Sequence, residues 1–525
     1  MIKKLKLSPK NVKHVAKLGN LNLTPKELRI FAAQLGQILD YMDQLAKADT
    51  SKVEPTFQII DNTTNVFRSD KVTSSCLSQK QALSSARKTH DGYFVADHVF
   101  TQLARKKLIK KLPSRKKLDK FNAILTQVNP QGTVGHKDLY VTQGIETTAG
   151  SRILEGYKPQ YSATVVKQFE EAGYQTKYKL NEDPWGHGSS GENSAFGPTK
   201  NPWDLTRIPG GSSSGSAVMT AIGDVEVTTG TDTCGSIRMP AHYSGICGIK
   251  PTYGAVSRYG VIAFGSSLDC PGIFSRSVKK LRHFFKLINL SDHKDCTSQS
   301  QFRDKFKFKP AKTIGIPREF FENKGINKQV KDKVLAAAKL LTKKGYQLKD
   351  ISLPNSIYAV AAYYIIASTE TASNLGRFDG VRFGQTRDFF CSETKRRIML
   401  GSFSSSASYT DKYYETAAKI RTLIINDFKQ AFKSVDVILS PSASSAAFKT
   451  GEKMDNPLEM YLTDVYAAPP SLSGLPALAI PCGFTSNNLP IGMQLIGSRW
   501  SEKKLFDLGE KYQQITNWHL KKPKL

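Results

Sequence analysis

From residue 121 onwards, short apolar runs alternate with stretches of helical periodicity, and this alternation restricts the chain more than any other feature. The runs at 121–128, 225–229, 313–316, 435–439 and 477–481 read as buried strands. The stretches at 163–172, 330–344, 411–432 and 502–516 read as helices. Strands and helices in turn imply an α/β domain with a largely parallel or mixed core sheet. A chain of 525 residues can bury about three-quarters of its unfolded surface, so a substantial core is available. No internal repeat is present.

The N-terminal part reads differently. Ser8-Pro9 is a helix start, followed by Val12, Val15, Ala16 and Leu18 at helical spacing up to Gly19. Thr24-Pro25-Lys26-Glu27 is a capping box. Behind it Leu28, Phe31, Leu35, Ile38, Leu39, Met42 and Leu45 draw one apolar face. Two such helices cannot close a core alone, so the face must pack on the rest of the chain or on a partner. Residues 48–100 are mostly polar and extended, a pattern that wraps a surface. Residues 101–120 hold nine Lys/Arg and one Asp and read as a solvated linker or helix. The chain thus divides into a helical and wrapping region (1–100), a basic linker (101–120) and the α/β domain (121–525).

Composition narrows the function classes. Hydrophobic residues make up 39% and charged residues 23%, which excludes disorder as the overall state. No apolar run approaches the ~18–20 residues of a membrane span. The seven cysteines are scattered without a CxxC pair, which argues against a disulfide framework or structural zinc and for a reducing compartment. The basic N-terminus lacks an apolar core, so it is not a secretory signal. A cytoplasmic location is expected, with an organelle as the alternative. The formal net charge of +30 attracts polyanions, nucleic acid first; it equally suits solubility alone.

Chemistry concentrates in PGGSSSGS (209–216) and GTDTCGSIRMP (230–240). A Gly/Ser linker is out of place inside an α/β region. A phosphate loop lacks its GK[ST]. A nucleophile elbow fits Gly211–Gly215 as GxSxG but lacks the preceding apolar strand. With the Lys-Asp step at Lys137-Asp138, 75 residues before Ser212, the two segments resemble the signature of the amidase-signature family. That resemblance implies an amidase-signature fold, a mixed β-sheet covered by helices. It also implies a Ser-Ser-Lys triad with Lys137 as base, Ser212 as bridge and Ser236 as nucleophile. The chemistry is coherent, since a serine hydroxyl needs a base and a buried neutral lysine can be one. Backbone N–H groups at Thr233, Cys234, Gly235 and Ser236 would form the oxyanion hole.

Further stretches narrow the resemblance to the A subunits of tRNA-dependent glutamine amidotransferases. They include 191–204, 250–269, 373–383, 395–398, 457–476 and 490–497. Residues 8–100 resemble the C subunits, so the two are read as joined in one chain, with a small C-subunit-like arm first. In that family the A subunit hydrolyses glutamine and passes ammonia to the B subunit. The latter amidates glutamyl-tRNA(Gln) or aspartyl-tRNA(Asn). The resemblance therefore implies three partners, namely glutamine, a mischarged tRNA and the B subunit. It implies no cofactor in this chain; ATP and Mg would belong to the B subunit. It places the glutamine α-groups at Arg397 and Asp464, with Tyr363 or Tyr364 lining the site.

The sequence also departs from the family pattern. Cys234 and Ser214 stand where the family has glycine. The segment before Lys137 (PQGTVGHKDLY) is a poor apolar strand, and residues 174–180 are unusually polar. Deletions fall between Val128 and Thr133 and near 385–394. All three triad residue types remain, so an active enzyme is expected. A stand-alone amidase and a catalytically impaired scaffold stay open as alternatives.

Overall fold

The computed structural model describes residues 8–60, 70, 76–96, 115–299, 309–382 and 384–524. Its centre is a mixed sheet of eleven strands. In chain order these are β1 (Ile124–Gln127), β2 (Val134–Lys137), β3 (Thr176–Leu180), β4 (Val227–Thr231), β5 (Cys247–Lys250) and β6 (Pro271–Ser275). They continue with β7 (Thr313–Pro317), β8 (Gln347–Ile351), β9 (Val437–Pro441), β10 (Ala477–Phe484) and β11 (Pro490–Gly497). Across the sheet the order is β8-β7-β9-β11-β10-β5-β6-β4-β2-β3-β1. β4, β2 and β3 run parallel, as do β9, β7 and β8; the pairs between these two groups, and β1 with β3, are antiparallel. The central strands are buried along their whole length, which requires cover on both faces.

The described helices used below are α1 (Pro9–Leu18), α2 (Pro25–Met42), α3 (Thr164–Glu171), α4 (Ser214–Ile222), α5 (Arg238–Ser244) and α6 (Val278–Ile288). After them come α7 (Lys328–Thr342), α8 (Ala359–Asn374), α9 (Ser392–Ser404), α10 (Thr416–Ala431) and α11 (Glu502–Gln514). α4, α5, α6, α7 and α11 pack on the sheet, while α8, α9 and α10 form a helical layer of their own. This is the mixed sheet covered by helices that the signature implies. Several expected boundaries moved, among them the strand expected at 435–439, which lies at Val437–Pro441 as β9. The helix expected at 411–432 opens with one wide turn at Asp411–Glu415 before α10 begins. The strand expected at 225–229 lies two residues later, which carries Thr231 to its end.

The two polar segments form strands after all. The connection ahead of β2 is a tight turn in which Gly132 N donates to Asn129 O (3.0 Å) and Asn129 Oδ1 accepts from Gln131 N (2.9 Å). A side chain at Gly132 would meet the β3 backbone at Lys177 N within 2.7 Å, so this turn needs glycine. His136, Lys137 and Lys179 are fully buried in β2 and β3. The lack of apolarity in these strands marks where the polar site is built.

The N-terminal helices form as their capping boxes dictate, with both reciprocal bonds present at Ser8/Asn11 and Thr24/Glu27. Their apolar faces dock on this chain's own helical layer: α1 on α9, and α2 on α8, α9 and the short helix Pro457–Tyr461. Polar contacts lock the join. Lys395 pairs with Glu27 (2.7 Å), Arg396 binds Gln34 Oε1 (3.0 and 3.1 Å) and Arg387 Nη1 donates to Gly19 O (2.6 Å). Arg387 belongs to the 385–394 segment, so that segment holds the arm. Beyond α2 the extended chain lies along α10, where Thr56 N donates to Ala418 O (3.1 Å), and Ile59 and Ile60 bury against Tyr253 and Cys270. Of the basic linker, 101–114 lie outside the described residues. At its end Arg115 pairs with Glu146 and Glu155 and sits 4.7 Å over the Phe196 ring. Among the described residues no helix is long and apolar enough to cross a membrane.

Ile38 is fully buried at the centre of the α2 face. Ile38→Ala should weaken arm docking by about 2–5 kcal/mol. The expected readout is a lower thermal midpoint and faster proteolytic loss of the arm from the full chain. Wild-type resistance to protease would mean that α2 does not dock in solution.

Candidate active site

The site begins where β2 and β4 end side by side. Lys137 N donates to Thr229 Oγ1 (3.1 Å), which fixes the end of β2 against β4. Its Nζ, fully buried, lies 2.6 Å from Ser212 Oγ, 2.8 Å from Thr231 Oγ1 and 3.1 Å from Ser213 Oγ. Three hydroxyls suit an ammonium with three donors. They equally suit a free amine with two donors and one lone pair accepting from a hydroxyl. Burial pulls the Lys137 pKa down, opposed by the negative charges of Glu182, Asp183 and Asp269. The site therefore favours the neutral amine more than a surface lysine's surroundings would.

Ser212 follows a cis peptide bond with Gly211. Asp183 holds this loop. Its N donates to Ser212 O (3.1 Å), while its carboxylate accepts from Gly191 N and Asn193 N (2.9 Å each). A side chain at Gly211 would overlap the Asp183 carboxylate, so glycine is required there. One helical turn on, Gly215 has the same constraint against Asn181 N (2.8 Å). Ser214 does not: it starts α4 outside the left-handed region and its Oγ reaches Thr199 Oγ1 (3.0 Å). Serine in place of the family's glycine is thus accommodated.

Asp232 shapes the turn that carries Ser236. Its two oxygens accept from Gly235 N (2.7 Å), Ile237 N (3.2 Å) and the Arg238 guanidinium at Nε and Nη2 (2.9 Å each). Burial pushes the Asp232 pKa up, but Arg238, Lys250 and the Gly235 N–H together hold it below its ordinary value. Gly235 has φ +85°, the conformation that favours glycine, and its N–H is taken by Asp232. Gly235 is therefore corrected from an oxyanion donor to a shaping residue. The N–H groups of Thr233, Cys234 and Ser236 have no acceptor among the described residues. Cys234 stays out of the positive-φ region, so its Cβ does not distort the turn. Ser236 is 4% exposed, and among the described residues its hydroxyl has no hydrogen-bond partner. The structure joins Lys137 to Ser212 and leaves the Ser212–Ser236 link open.

Arg397 and Asp464 come together at the other side. Arg397, buried on α9, donates from Nε to Glu393 Oε1 (2.7 Å) one turn earlier. Its guanidinium lies 4.8 Å from the Tyr364 ring centroid and 5.4 Å from that of Phe264. Its Nη1 is buried without a partner. Asp464 accepts from Tyr364 OH (2.7 Å) and Ser189 Oγ (3.0 Å). Burial, opposed by these two bonds and by Arg397, pushes its pKa up to about 7. Of the two candidate tyrosines, it is Tyr364 that binds Asp464; Tyr363 packs edge-on against it with ring centroids 4.9 Å apart. Among the described residues no histidine hydrogen-bonds to Ser212, Ser213 or Ser236. His187 contacts Thr394 and Thr371, and His242 bonds to Gly492 and Ser445.

A cavity of about 290 Å³ opens beside Arg397 and Tyr364, lined also by Ser189, Glu393 and Tyr461. Its outer wall is the arm, through Glu27, Ile30, Phe31 and Gln34 of α2. Sequence reasoning missed this wall, and missed Thr231, Ser213, Ser189, Glu182 and Glu393 as well. Only Glu393 had a readable signal, four residues before Arg397 on one helix. Asp232→Ala would leave the fully buried Arg238 guanidinium without a counter-charge, at a cost of about 3–5 kcal/mol. Thermal unfolding should show a marked loss; an unchanged midpoint would mean that Arg238 is neutralised from elsewhere.

With this geometry in place, comparison with known proteins is informative. The amidase family model matches residues 133–506, and the model of the Glu-tRNAGln amidotransferase C subunit matches residues 23–95. The A subunit of the Lactococcus lactis subsp. cremoris (strain SK11) glutamyl-tRNA(Gln) amidotransferase is 46% identical over 411 residues, covering 74% of this chain and 84% of its own. Its counterpart in Persephonella marina (strain DSM 14350 / EX-H1) matches with the same identity and coverage. The crystal structure of the A subunit of the Thermotoga maritima glutamyl-tRNA(Gln) amidotransferase superposes with a TM-score of 0.64 at 37% identity. The match covers 74% of this chain and 86% of that one.

Proposed function

Because this chain belongs to the amidase family and carries a C-subunit domain ahead of it in the same polypeptide, we propose that it is the glutaminase component of a tRNA-dependent amidotransferase. The observation that carries the reading is the sealed contact of Lys137 Nζ with Ser212 Oγ, at 2.6 Å. A neutral Lys137 accepts the Ser212 proton as Ser212 accepts that of Ser236. The Ser236 oxygen attacks the glutamine side-chain carbonyl. The tetrahedral oxyanion lies against the free N–H groups of Thr233, Cys234 and Ser236. The proton returns through Ser212 to the leaving nitrogen, the C–N bond breaks and ammonia departs. Water then cleaves the acyl-Ser236 ester and releases glutamate.

Substrate binding follows from charge. The unpartnered Arg397 Nη1 suits the glutamine α-carboxylate, and Asp464 suits its α-ammonium. Tyr364 fixes Asp464, while Tyr363 backs it. The ammonia passes to a B-type subunit that amidates glutamyl-tRNA(Gln) or aspartyl-tRNA(Asn). The ATP and Mg that step needs are held there. A stand-alone amidase would release ammonia from glutamine at the same rate whether or not mischarged tRNA and the B subunit were present. The proposed component is stimulated by both.

Two outcomes test the assignment. Ser236→Ala should lower glutamine hydrolysis on the order of 10³-fold or more, and the wild type should form an acyl adduct at Ser236 visible by mass spectrometry. Undiminished hydrolysis in the variant sinks the triad. The second test reads pH. The Asp464 carboxyl titrates near 7, and only its ionised form matches an ammonium. KM for glutamine should therefore rise about tenfold per pH unit below 7. Asp464→Asn should raise KM at neutral pH and flatten this dependence; a variant that keeps the slope assigns it elsewhere.

A further inference from the structure

Glu182, the residue after Asn181 at the end of β3, is fully buried, and neither of its carboxylate oxygens has a hydrogen-bond partner. An unpaired buried carboxylate is expensive, so its surroundings must account for it. Its nearest charge is the Lys137 amine, with Nζ 3.6 Å from Oε2. The other ionisable groups around it are Asp138 on the β2 side, Lys179 from β3, and Tyr140 and Asp183 from the flanking loops. Lys179 is engaged by Asp138 (3.4 Å) and by the Tyr140 carbonyl. Asp183 is committed to Gly191 and Asn193. Glu182 and Lys137, both fully buried, are thus each other's close counter-charge.

We propose that Glu182 is the positioning residue that shares one proton with Lys137 and so governs when the amine is free to act on Ser212. In one arrangement the proton sits on nitrogen and the pair is ammonium and carboxylate. In the other the N–H bond has broken, an O–H bond has formed on Glu182, and the amine carries a lone pair. No charge enters or leaves the site in the exchange. It requires the 3.6 Å separation to close to about 2.8 Å, the length of a charge-assisted hydrogen bond, by side-chain rotation. Burial disfavours both charged forms, while each charged partner stabilises the other. Removing the carboxylate takes away the anion that retains the proton on nitrogen, so the amine becomes free at lower pH.

This inference rests on Lys137 being the base proposed above, and its test is independent of the substrate. The full chain is treated with a fluorophosphonate probe, and the rate of Ser236 labelling is followed against pH for the wild type, Glu182→Gln and Glu182→Asp. The expected result is an acidic limb shifted to lower pH by a unit or more in Glu182→Gln and moved back towards the wild type in Glu182→Asp. If Glu182→Gln does not fold, Glu182→Met, uncharged and of similar length, is read in the same way. Superimposable limbs in wild type and uncharged variant overturn the proposal, even if the plateau rate falls, because a merely structural role changes the plateau and not the limb. A wild type that labels at Ser236 with the expected shift in the variant, yet releases no ammonia from glutamine, overturns the glutaminase reading and leaves this one standing.

Discussion

A lysine amine sealed beneath three hydroxyls is the interaction on which the rest of this structure depends. Taking a charge-bearing group out of water is costly, and the cost must be met by packing elsewhere. The eleven-stranded sheet, buried on both faces along its central strands, supplies that packing. The cradle also has to be tight, because a loosely held serine would let water in. Close approach at Gly211 and Gly215 brings the 209–216 loop down on β2 and β3 without a gap. The Arg238–Asp232 pair does the same for the opposing turn, fixing the backbone that carries Ser236.

The arm is part of this construction. It covers the helical layer that carries Arg397, and it walls the cavity through which Arg397 and Tyr364 are reached. Individually its polar contacts with the body are modest, since partly exposed ion pairs such as Lys395–Glu27 contribute little. Covalent linkage changes the balance. An arm joined to its own body docks as an intramolecular event, so weak contacts suffice. The body's 385–394 segment takes part in that docking, with Arg387 donating to Gly19 O and Asp388 accepting from Asn22.

How much of this was legible in the sequence follows from what leaves a local trace. The helix starts of α1 and α2 and the apolar strands β7 and β10 are local patterns, and they form where the residues place them. β2 and β3 hid because periodicity rests on apolar residues, whereas these strands bury lysine and histidine for the site. Lys137 and Ser212 were legible through motif and spacing. Thr231, Ser213 and Glu182 were not, because their role comes from pairings across the sheet and the signature loop. Gly235 misled because a glycine beside a nucleophile suggests a free N–H, and only the fold shows that N–H turned to Asp232.

The pairing of buried charges among the described residues also sets Arg397 and Asp464 apart. Asp232 is matched by Arg238, Asp138 by Lys179, Glu393 by Arg396 and Arg397, and Glu182 by Lys137. Beyond these pairings, Arg397 keeps an unpartnered Nη1, and the only protein donors to Asp464 among the described residues are the neutral hydroxyls of Tyr364 and Ser189. One is positive and the other, once ionised, negative. A neutral or singly charged amide would leave one of them unmatched in a dry site, at the cost of an unpaired buried charge. For the glutaminase proposed above, a zwitterionic substrate would meet both charges at once.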